Sequence, residues 1–354
     1  MIDVLVAGGG PAGLATAIHA ALAGMEAVVV EPRPGPVDKA CGEGLMPTGA
    51  AALADLGVAV PDGRPFRGIR YVDGPHRVQA EFRDGPGLGV RRTALHTALA
   101  HRARDLGVRV VTGRVDAVRA TGGGVRAHVA GGPEPCGPDL CGPEELGARW
   151  LVAADGLHSP IRARLGLDLP SGGPRRYGLR RHYRVAPWTD FVEVHWAPGG
   201  EAYVTPVGDD LVGVAVLSSE RRTYEEHLAR FPGLLARLDG PPATPVRGAG
   251  PLRQRVRRRV AGRVLLVGDA AGYVDALTGE GISLALLSAR ALVGCLRAGR
   301  PEEYETAWRR LSWRSRLLTA ALVRARRHPP AARMIVPAAR RLPAVFGAAV
   351  RSLA

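Results

Sequence analysis

The chain has 354 residues, enough to bury a sizeable core, and carries a formal net charge of +15. Lys39 is the only lysine among its 48 basic residues, and the arginines are scattered without interleaved aromatic side chains, so we do not expect a nucleic-acid partner. No apolar run is long enough to span a bilayer and no signal peptide precedes the first strand, which favours a cytoplasmic protein.

The first predicted unit is a strand, a glycine-rich turn, a helix and a second strand. Residues 2–7 form a continuous apolar strand, residues 14–23 a helix rich in small side chains, and residues 27–30 the second strand. The turn carries G-x-G-x-x-G, whose glycines allow a tight bend, a close approach to a pyrophosphate and close packing of the helix on the strand. An acidic residue closes the second strand, where it can bind a ribose hydroxyl pair. This unit predicts that a dinucleotide, FAD or NAD, binds at Gly8, Gly10, Ala12, Gly13 and Glu31.

A stretch rich in proline and glycine, residues 131–146, predicts a surface loop between two strands. It contains Cys136 and Cys141, but no histidine or further cysteine pair completes a metal site there. Four cysteines are also too few for a disulfide framework in a chain of this length. We therefore expect neither a metal nor a disulfide-based function.

Two later segments each place a carboxylate directly after a buried strand. In "RWLVAADGLHSPIRARLGL" the strand leads to Asp155, and in "GRVLLVGDAAGYVDALTGEGISLAL" it leads to Asp269, before a glycine-flanked helix start. A third segment, "GVRRTALHTALA", begins a helix with Arg92 near its start. Together with the first unit, these segments resemble the motifs of FAD-dependent aromatic hydroxylases (group A flavin monooxygenases) and geranylgeranyl reductases, which form one superfamily.

The resemblance implies FAD as the cofactor. It implies that the carboxylate of Asp269 accepts a hydrogen bond from the ribityl chain and that the N-terminus of the following helix lies near the flavin ring, where its dipole favours negative charge. There is no second G-x-G-x-x-G unit, so NAD(P)H is expected to visit the flavin transiently. Beyond the first unit, the implied cofactor-binding residues are Arg92, Asp155, Gly156, Asp269, Gly279, Gly281 and Ile282.

The predicted fold class is α/β. A Rossmann-type, glutathione-reductase-like FAD-binding domain is expected to be discontinuous in the sequence and to carry an inserted, mostly antiparallel β-sheet as its substrate domain. A helical segment is expected to follow. The expected boundaries are residues 1–65, 91–168 and 253–300 for the FAD-binding domain, 66–90 and 169–252 for the substrate domain, and 301–354 for the C-terminal helical segment.

The superfamily offers two main reactions. Hydroxylases insert oxygen into an aromatic ring through a flavin hydroperoxide, and geranylgeranyl reductases saturate isolated double bonds of prenyl chains. We slightly favour an NAD(P)H-dependent monooxygenase acting on a small apolar, aromatic or polyketide-like substrate, although "DKACGEGLMPTG" and "TGEGI" resemble the reductases more closely. A non-redox, flavin-dependent cyclase or isomerase, or a non-catalytic flavin-binding partner, remains a further alternative. Halogenation is not expected, because the K and W-x-W-x-I-P signature of flavin halogenases is missing.

Cys41 and His195 are the candidate catalytic residues. Cys41 follows the second strand in a glycine-rich loop that the resemblance places near the flavin, where a thiol can donate a proton, shape the pocket or simply pack. His195 lies on a predicted strand of the substrate sheet and, like His182 or Tyr183, can act as a base towards a phenol.

The last residues of the chain allow two interpretations. Residues 328–354 alternate apolar clusters with arginines, a pattern that suits an amphipathic element on an anionic bilayer and hence a peripheral membrane contact. The alternative, which we favour, is a helix that caps the FAD-binding domain with a solvated basic face. It is favoured because Pro330, Pro337 and Pro343 interrupt a long helix.

Overall fold

The computed structural model describes residues 1–131, 145–173 and 175–353. The loop predicted around Cys136 and Cys141 lies almost entirely outside these ranges.

The strands are β1 (Ile2–Ala7), β2 (Ala27–Glu31), β3 (Gly44–Leu45), β4 (Arg64–Phe66), β5 (Gly68–Asp73), β6 (His76–Glu81), β7 (Gly87–Gly89), β8 (Arg109–Thr112), β9 (Arg114–Ala120), β10 (Val125–Ala130), β11 (Glu145–Ala153), β12 (Asp168–Leu169), β13 (Tyr177–Tyr183), β14 (Phe191–Ala197), β15 (Gly200–Pro206), β16 (Val212–Ser218), β17 (Arg247–Ala249), β18 (Arg255–Val256), β19 (Val260–Ala261) and β20 (Val264–Leu266). The helices are α1 (Pro11–Leu22), α2 (Pro47–Asp55), α3 (Arg92–Asp105), α4 (Pro160–Arg164), α5 (Tyr224–Leu228), α6 (Pro232–Leu235), α7 (Gly281–Arg297), α8 (Glu303–Arg326), α9 (Pro329–Arg341) and α10 (Pro343–Arg351), with one 3₁₀ turn at Gly268–Ala271.

A largely parallel sheet forms the first half of the molecule. Its strand order is β19-β20-β11-β1-β2-β8, with β10 and β9 added as an antiparallel extension of β11. Strands β20, β11, β1, β2 and β8 run parallel to one another. The central strands β1 and β2 are almost wholly apolar and buried, as expected for a parallel sheet that is covered on both faces. Helix α1 packs against α3 and α7 on this sheet.

A second sheet of seven strands, in the order β17-β13-β16-β15-β14-β5-β6, forms the other half. Its pairs are antiparallel except for β14 with β5. One face packs on α5 and α6 through Tyr224, Leu228 and Leu234. The other face belongs to a separate apolar cluster, which also contains residues of α9 and α10. The predicted fold class is confirmed, whereas the proposed domain boundaries stay a prediction.

The C-terminal helices do not cover the face that we expected. Helix α8 packs on α7, whereas α9 and α10 pack mainly on β5 and β6 of the second sheet. Pro337 lies inside α9, so the expectation that this proline interrupts a helix was wrong. Pro330 and Pro343 lie in the first turns of α9 and α10, where a missing N–H costs little. None of the helices in the described ranges is long and apolar enough to cross a bilayer.

Candidate functional site

A cavity of about 1130 Å³ begins at the turn after β1 and extends between the second sheet and the C-terminal helices. We call its polar part the nucleotide groove; it is lined by Gly8, Gly10, Ala12, Glu31, Lys39, Arg92, Asp155, Gly156 and Asp269. We call its apolar part the chamber; it is lined by Ile69, Tyr71, Val192, Val194, Tyr203, Ala215 and Leu217 from the sheet and by Leu318, Leu322, Ile335, Ala338, Ala339, Leu342, Val345, Phe346, Ala349, Val350 and Leu353 from the C-terminal segment.

The glycine turn after β1 brings the backbone close to the nucleotide groove. Gly8 has a φ of 110°, and a Cβ there would lie 2.5 Å from the carbonyl oxygen of Ala154. A Cβ at Gly13 would collide with the carbonyl oxygen of Gly8, so only glycine lets α1 pack this closely on β1. Pro11 is the first residue of α1, whose N-terminus therefore opens onto the groove. Unpaired N–H groups at such a terminus favour an anion, here a pyrophosphate.

Glu31 lies at the end of β2, and its carboxylate is already partly engaged. Oε2 accepts a hydrogen bond from the backbone N–H of Gly9 at 2.7 Å, and Oε1 accepts one from Arg33 Nε at 2.7 Å. Burial alone would raise the pKa of Glu31, but the hydrogen bonds from Arg33 and Gly9 outweigh it and lower the pKa below its ordinary value. The carboxylate is thus held in its charged form, with lone pairs left for a ribose hydroxyl.

The second carboxylate, Asp155, follows β11 and caps a short helix. Oδ2 accepts a hydrogen bond from the N–H of Ile161 at 3.2 Å, while Oδ1 is buried without a hydrogen-bond partner among the described residues. Burial raises the pKa of Asp155. Gly156 has a φ of 90°, and a Cβ there would lie 3.1 Å from Lys39 Nζ. Both residues line the nucleotide groove.

Asp269 faces the groove from the 3₁₀ turn that follows β20. Burial raises the pKa of its carboxyl, and the nearby charges of Arg92 and Lys39 oppose that rise. No hydrogen bond of its side chain to another described residue is present, so the carboxylate is available to a ligand. Gly268, with a φ of 61°, lets this turn approach α1: a Cβ there would lie 2.7 Å from Ala12 Cβ.

Lys39 is a groove residue that sequence reasoning missed. Burial, followed by the charges of Arg33 and Arg92, lowers the pKa of its ammonium group, while Asp269 and Glu31 oppose that change. Its status as the chain's single lysine was a usable signal, because an arginine-rich chain that keeps one lysine in a cofactor loop indicates a need for a compact charge there.

Arg92 is the first residue of α3, and of the two adjacent arginines it is the one that lines the groove. Its Nη2 lies 3.8 Å from the position that a Gly10 side chain would occupy. The guanidinium group is therefore close to the expected site of the pyrophosphate.

Helix α7 begins at the junction of the groove and the chamber. Gly279 has a φ of 72°, and a Cβ at Gly281 would lie 3.4 Å from the ring of Tyr273. Gly281 and Ile282 are the first residues of α7 and line the cavity. The preceding Glu280 was also missed: burial raises its pKa to about 7, against hydrogen bonds with Ser315 and Thr278 that lower it.

Cys41 lines the cavity beside the groove. Its Sγ accepts a hydrogen bond from the backbone N–H of Glu43 at 3.3 Å, and burial raises the pKa of its thiol. Glu43 has a φ of 59°, a strained value for a side chain of its size, and its carboxylate accepts hydrogen bonds from the N–H of Arg92 at 2.8 Å and from His182 Nε2 at 2.6 Å. A buried pair thus fixes the loop that carries the thiol.

His195 lies on the face of the second sheet that points away from the chamber. Along β14, Val192 and Val194 line the chamber, so alternation turns His195 to the opposite face. There its Nε2 donates to Glu193 Oε2 at 3.1 Å, and its cross-strand neighbour Ala202 belongs to the cluster under α5 and α6. This position does not support the expected role of His195 as a base.

Buried charges hold the roof of the chamber onto the sheet. Arg326 of α8 pairs with Glu201 of β15 at 3.2 Å, and Arg176 pairs with both Glu201 and Asp275. Tyr71 packs on Phe346 of α10 with ring centroids 4.8 Å apart. The described residues contain no group of three or more His, Cys, Asp or Glu side chains that could hold a metal ion.

The nucleotide groove fits FAD by three observations. It offers a helix N-terminus beside arginine and lysine for the pyrophosphate and a partnered acid at the end of β2 for a ribose. For the ribityl hydroxyls it offers the carboxylate of Asp269, which makes no side-chain hydrogen bond to a described residue. At Gly10 a Cβ would meet only Arg92 Nη2, at 3.8 Å, so this glycine leaves open space beside that guanidinium group. The groove thus offers a suitable group for each of these three parts of FAD: the pyrophosphate, the ribose and the ribityl chain.

Comparison with known proteins agrees with this assignment. The family model for the FAD binding domain matches residues 1–299. The chain is 31% identical over 315 residues to a menaquinone reductase of Mycobacterium tuberculosis, covering 81% of this chain and 74% of that protein. It is 30% identical over 344 residues to digeranylgeranylglycerophospholipid reductase 1 of Methanothermobacter thermautotrophicus, covering 89% and 82%.

Two further comparisons widen the range of reactions among similar proteins. A dialkyldecalin synthase of Streptomyces rugosporus is 30% identical over 298 residues, covering 79% of this chain and 61% of that protein. Among solved structures, the flavin-dependent brominase Bmp2 triple mutant superimposes with a TM-score of 0.83 at 17% identity, covering 100% of this chain and 94% of that one, which shows the fold alone. The chain belongs to the FAD binding domain family, and it is an FAD-dependent oxidoreductase.

Proposed function

We propose that this enzyme saturates isolated carbon–carbon double bonds of a prenyl-type lipid, using FAD that is reduced by NAD(P)H. The observation that carries the proposal is the chamber, an apolar extension of the same cavity that holds the nucleotide groove. The cavity also has polar lining residues, such as Arg180 and Thr205, but its long aliphatic and aromatic wall between the second sheet and the C-terminal helices suits an extended apolar chain. Two of the named relatives are reductases, of menaquinone and of a digeranylgeranyl lipid.

FAD, when bound and reduced, would supply the hydride, and this chain's own residues would supply binding, orientation and the proton. Lys39, Arg92 and the N-terminus of α1 would hold the anionic part of the cofactor. The first turn of α7 directs its N–H groups towards the junction of groove and chamber, where they stabilise negative charge.

Saturating a double bond adds a hydride to one carbon and a proton to the other. Cys41 is the proposed proton donor, because it lines the cavity and burial keeps its Sγ protonated. The N–H of Glu43 fixes the position of that sulfur. The apolar chamber walls exclude water and align the prenyl chain along the sheet.

Hydroxylation, which the sequence slightly favoured, has less support. Two of the named relatives are reductases, and His195, the residue proposed as a phenol base, lies on the other face of the sheet. A prenyl lipid resides in a membrane, so the proposed activity also requires a protein that reaches a lipid surface.

The test is an anaerobic incubation of the FAD-loaded enzyme with NADH or NADPH and geranylgeraniol, followed by mass spectrometry of the product. We expect a gain of two hydrogen atoms for each double bond reduced, with matching NAD(P)H consumption. An oxygenated product that forms only in air would contradict reduction and support hydroxylation.

A second candidate function is a non-redox cyclisation. It is supported by the 30% identity to a dialkyldecalin synthase. Substrate conversion without a change in hydrogen count, by enzyme that consumes no NAD(P)H, would identify this activity.

A further inference from the structure

The chamber reaches the surface where α9 meets α10. We call residues 340–345 the α9–α10 corner; all six are exposed. Leu342 is 56% exposed and Val345 is 63% exposed, yet both also line the chamber. The same two side chains therefore touch solvent and line the apolar interior, so the wall of the chamber reaches the surface at the corner.

The corner belongs to a surface that is both apolar and basic. Six of the ten large, exposed hydrophobic side chains in the described residues lie in this C-terminal region: Leu311, Trp313, Leu317, Met334, Leu342 and Val345. Residues 306–354 contain eleven arginines and neither aspartate nor glutamate. Near the corner, Arg333 and Arg341 are exposed. Isolated exposed leucines are ordinary, but six large exposed apolar side chains in an arginine-rich segment with no acidic residue of its own after Glu305 indicate an interaction site.

We propose that the α9–α10 corner docks on an anionic bilayer and admits the substrate's apolar chain from that bilayer into the chamber. The identity of what enters rests on the proposed function, whereas the docking does not. Leu342 and Val345 would enter the boundary between headgroups and acyl chains, and Arg333 and Arg341 would pair with lipid phosphates.

Charge favours a bilayer over a second copy of the chain. Two copies meeting at this surface would bring arginines against arginines, with no acidic residue in the last 49 positions to pair with them. An anionic bilayer offers negative charge beside an apolar layer, which matches both features of the surface. The expected attraction therefore increases with the fraction of anionic lipid and falls with salt.

The docking is tested by co-sedimentation with vesicles of phosphatidylcholine alone and of phosphatidylcholine mixed with phosphatidylglycerol. We expect the FAD-loaded enzyme to bind the anionic vesicles. Binding should weaken at least tenfold in the double variants Leu342→Asp/Val345→Asp and Arg333→Gln/Arg341→Gln. Matched controls are Leu22→Asp/Leu235→Asp, at side chains 48% and 45% exposed, and Arg104→Gln/Arg109→Gln, at exposed arginines elsewhere on the surface.

Three outcomes would overturn the docking proposal. The unmodified enzyme could fail to bind anionic vesicles, the control variants could weaken binding as much as the corner variants, or light scattering could show a dimer that the corner variants dissociate. Retained FAD and an unchanged melting temperature establish that each variant is folded.

Activity separates this proposal from the proposed function. We expect Arg333→Gln/Arg341→Gln to reduce a short, water-soluble prenyl alcohol at the normal rate but a vesicle-embedded prenyl lipid at least tenfold more slowly. Equal rates for the variant and the unmodified enzyme on the embedded lipid would overturn the proposal that the substrate enters at the α9–α10 corner. Vesicle binding by an enzyme that reduces neither substrate would overturn the proposed function and leave the docking intact.

Discussion

Asp269 is the side chain on which cofactor binding should depend most. It faces the groove without a protein hydrogen-bond partner in the described ranges, so a bound ribityl chain would supply its first one. We expect Asp269→Ala to weaken FAD binding roughly 10- to 100-fold, because a hydrogen bond to a charged group contributes about 1.5–3 kcal/mol. The measurement is a fluorescence titration with FAD. Asp209→Ala, at an exposed carboxylate, is the control, and full FAD occupancy in Asp269→Ala would rule out the assignment.

Lys39 should contribute charge to the same groove. We expect Lys39→Met to weaken FAD binding roughly tenfold and Lys39→Arg to restore only part of the loss, because a planar guanidinium does not reproduce the compact ammonium charge that lies beside Gly156. Since the chain has one lysine, an amine-acylating reagent can modify only Lys39 and the N-terminus. Mass spectrometry should show that FAD protects Lys39. Equal acylation with and without FAD would place this side chain outside the cofactor site.

Cys41 should determine how turnover depends on pH. Because burial raises the pKa of the thiol above 9.0, its proton stays in place through pH 9 and is lost only as the pH rises through the higher value. We expect constant reduction rates to about pH 9 and a decline above it. Cys41→Ala should bind FAD normally and lose about 10²- to 10⁴-fold in turnover number. A normal rate in that variant would remove Cys41 from the mechanism.

At the scale of elements, the start of α7 should make stability depend on pH. The raised pKa of Glu280, about 7 against 4.5, means that the folded state holds this proton more tightly than the unfolded chain. Its contribution to stability is complete below pH 4.5 and is lost as the pH rises to about 7. Glu280→Gln, which mimics the protonated form, should therefore stabilise the apoprotein at pH 8 by on the order of 3 kcal/mol more than at pH 4.5.

Urea unfolding of both proteins at the two pH values measures this difference. Glu81→Gln, at an exposed carboxylate, serves as the control. The same change in stability at both pH values for Glu280→Gln would show that the carboxyl is not protonated in the folded chain near neutral pH.

The sequence could predict those elements whose structure is determined by residues close together in the chain. The strand, glycine turn and helix around Gly8, and the carboxylates after β11 and β20, are read from neighbouring residues and lie along one cavity. The face on which His195 lies depends on the register of β14 with β15, which no short motif specifies. Likewise Pro337 is accommodated inside α9, although the local rule predicts a break there.

At the scale of the whole molecule, the chamber was not predictable from motifs. Its floor comes from β5, β14, β15 and β16 and its roof from α8, α9 and α10, which are far apart in the sequence. Such packing is decided by which apolar faces remain to be covered once both sheets have formed. Two of the buried contacts that fix the roof, Arg326 with Glu201 and Phe346 with Tyr71, also join distant segments. The motifs predicted an FAD-dependent oxidoreductase, but they did not determine which reaction it catalyses.

The proposed function depends on the chamber beside the nucleotide groove holding the prenyl chain, and one pair of variants tests this most directly. Ala349 lines the chamber, whereas its neighbour Ala348 on α10 is exposed. The measurement is the rate of anaerobic prenyl double-bond reduction by FAD-loaded Ala349→Trp and Ala348→Trp. We predict that Ala349→Trp retains FAD but loses at least tenfold in rate, because the indole fills space that the prenyl chain needs, and that Ala348→Trp matches the unmodified enzyme. Equal rates in the two variants, with FAD bound, would contradict the account.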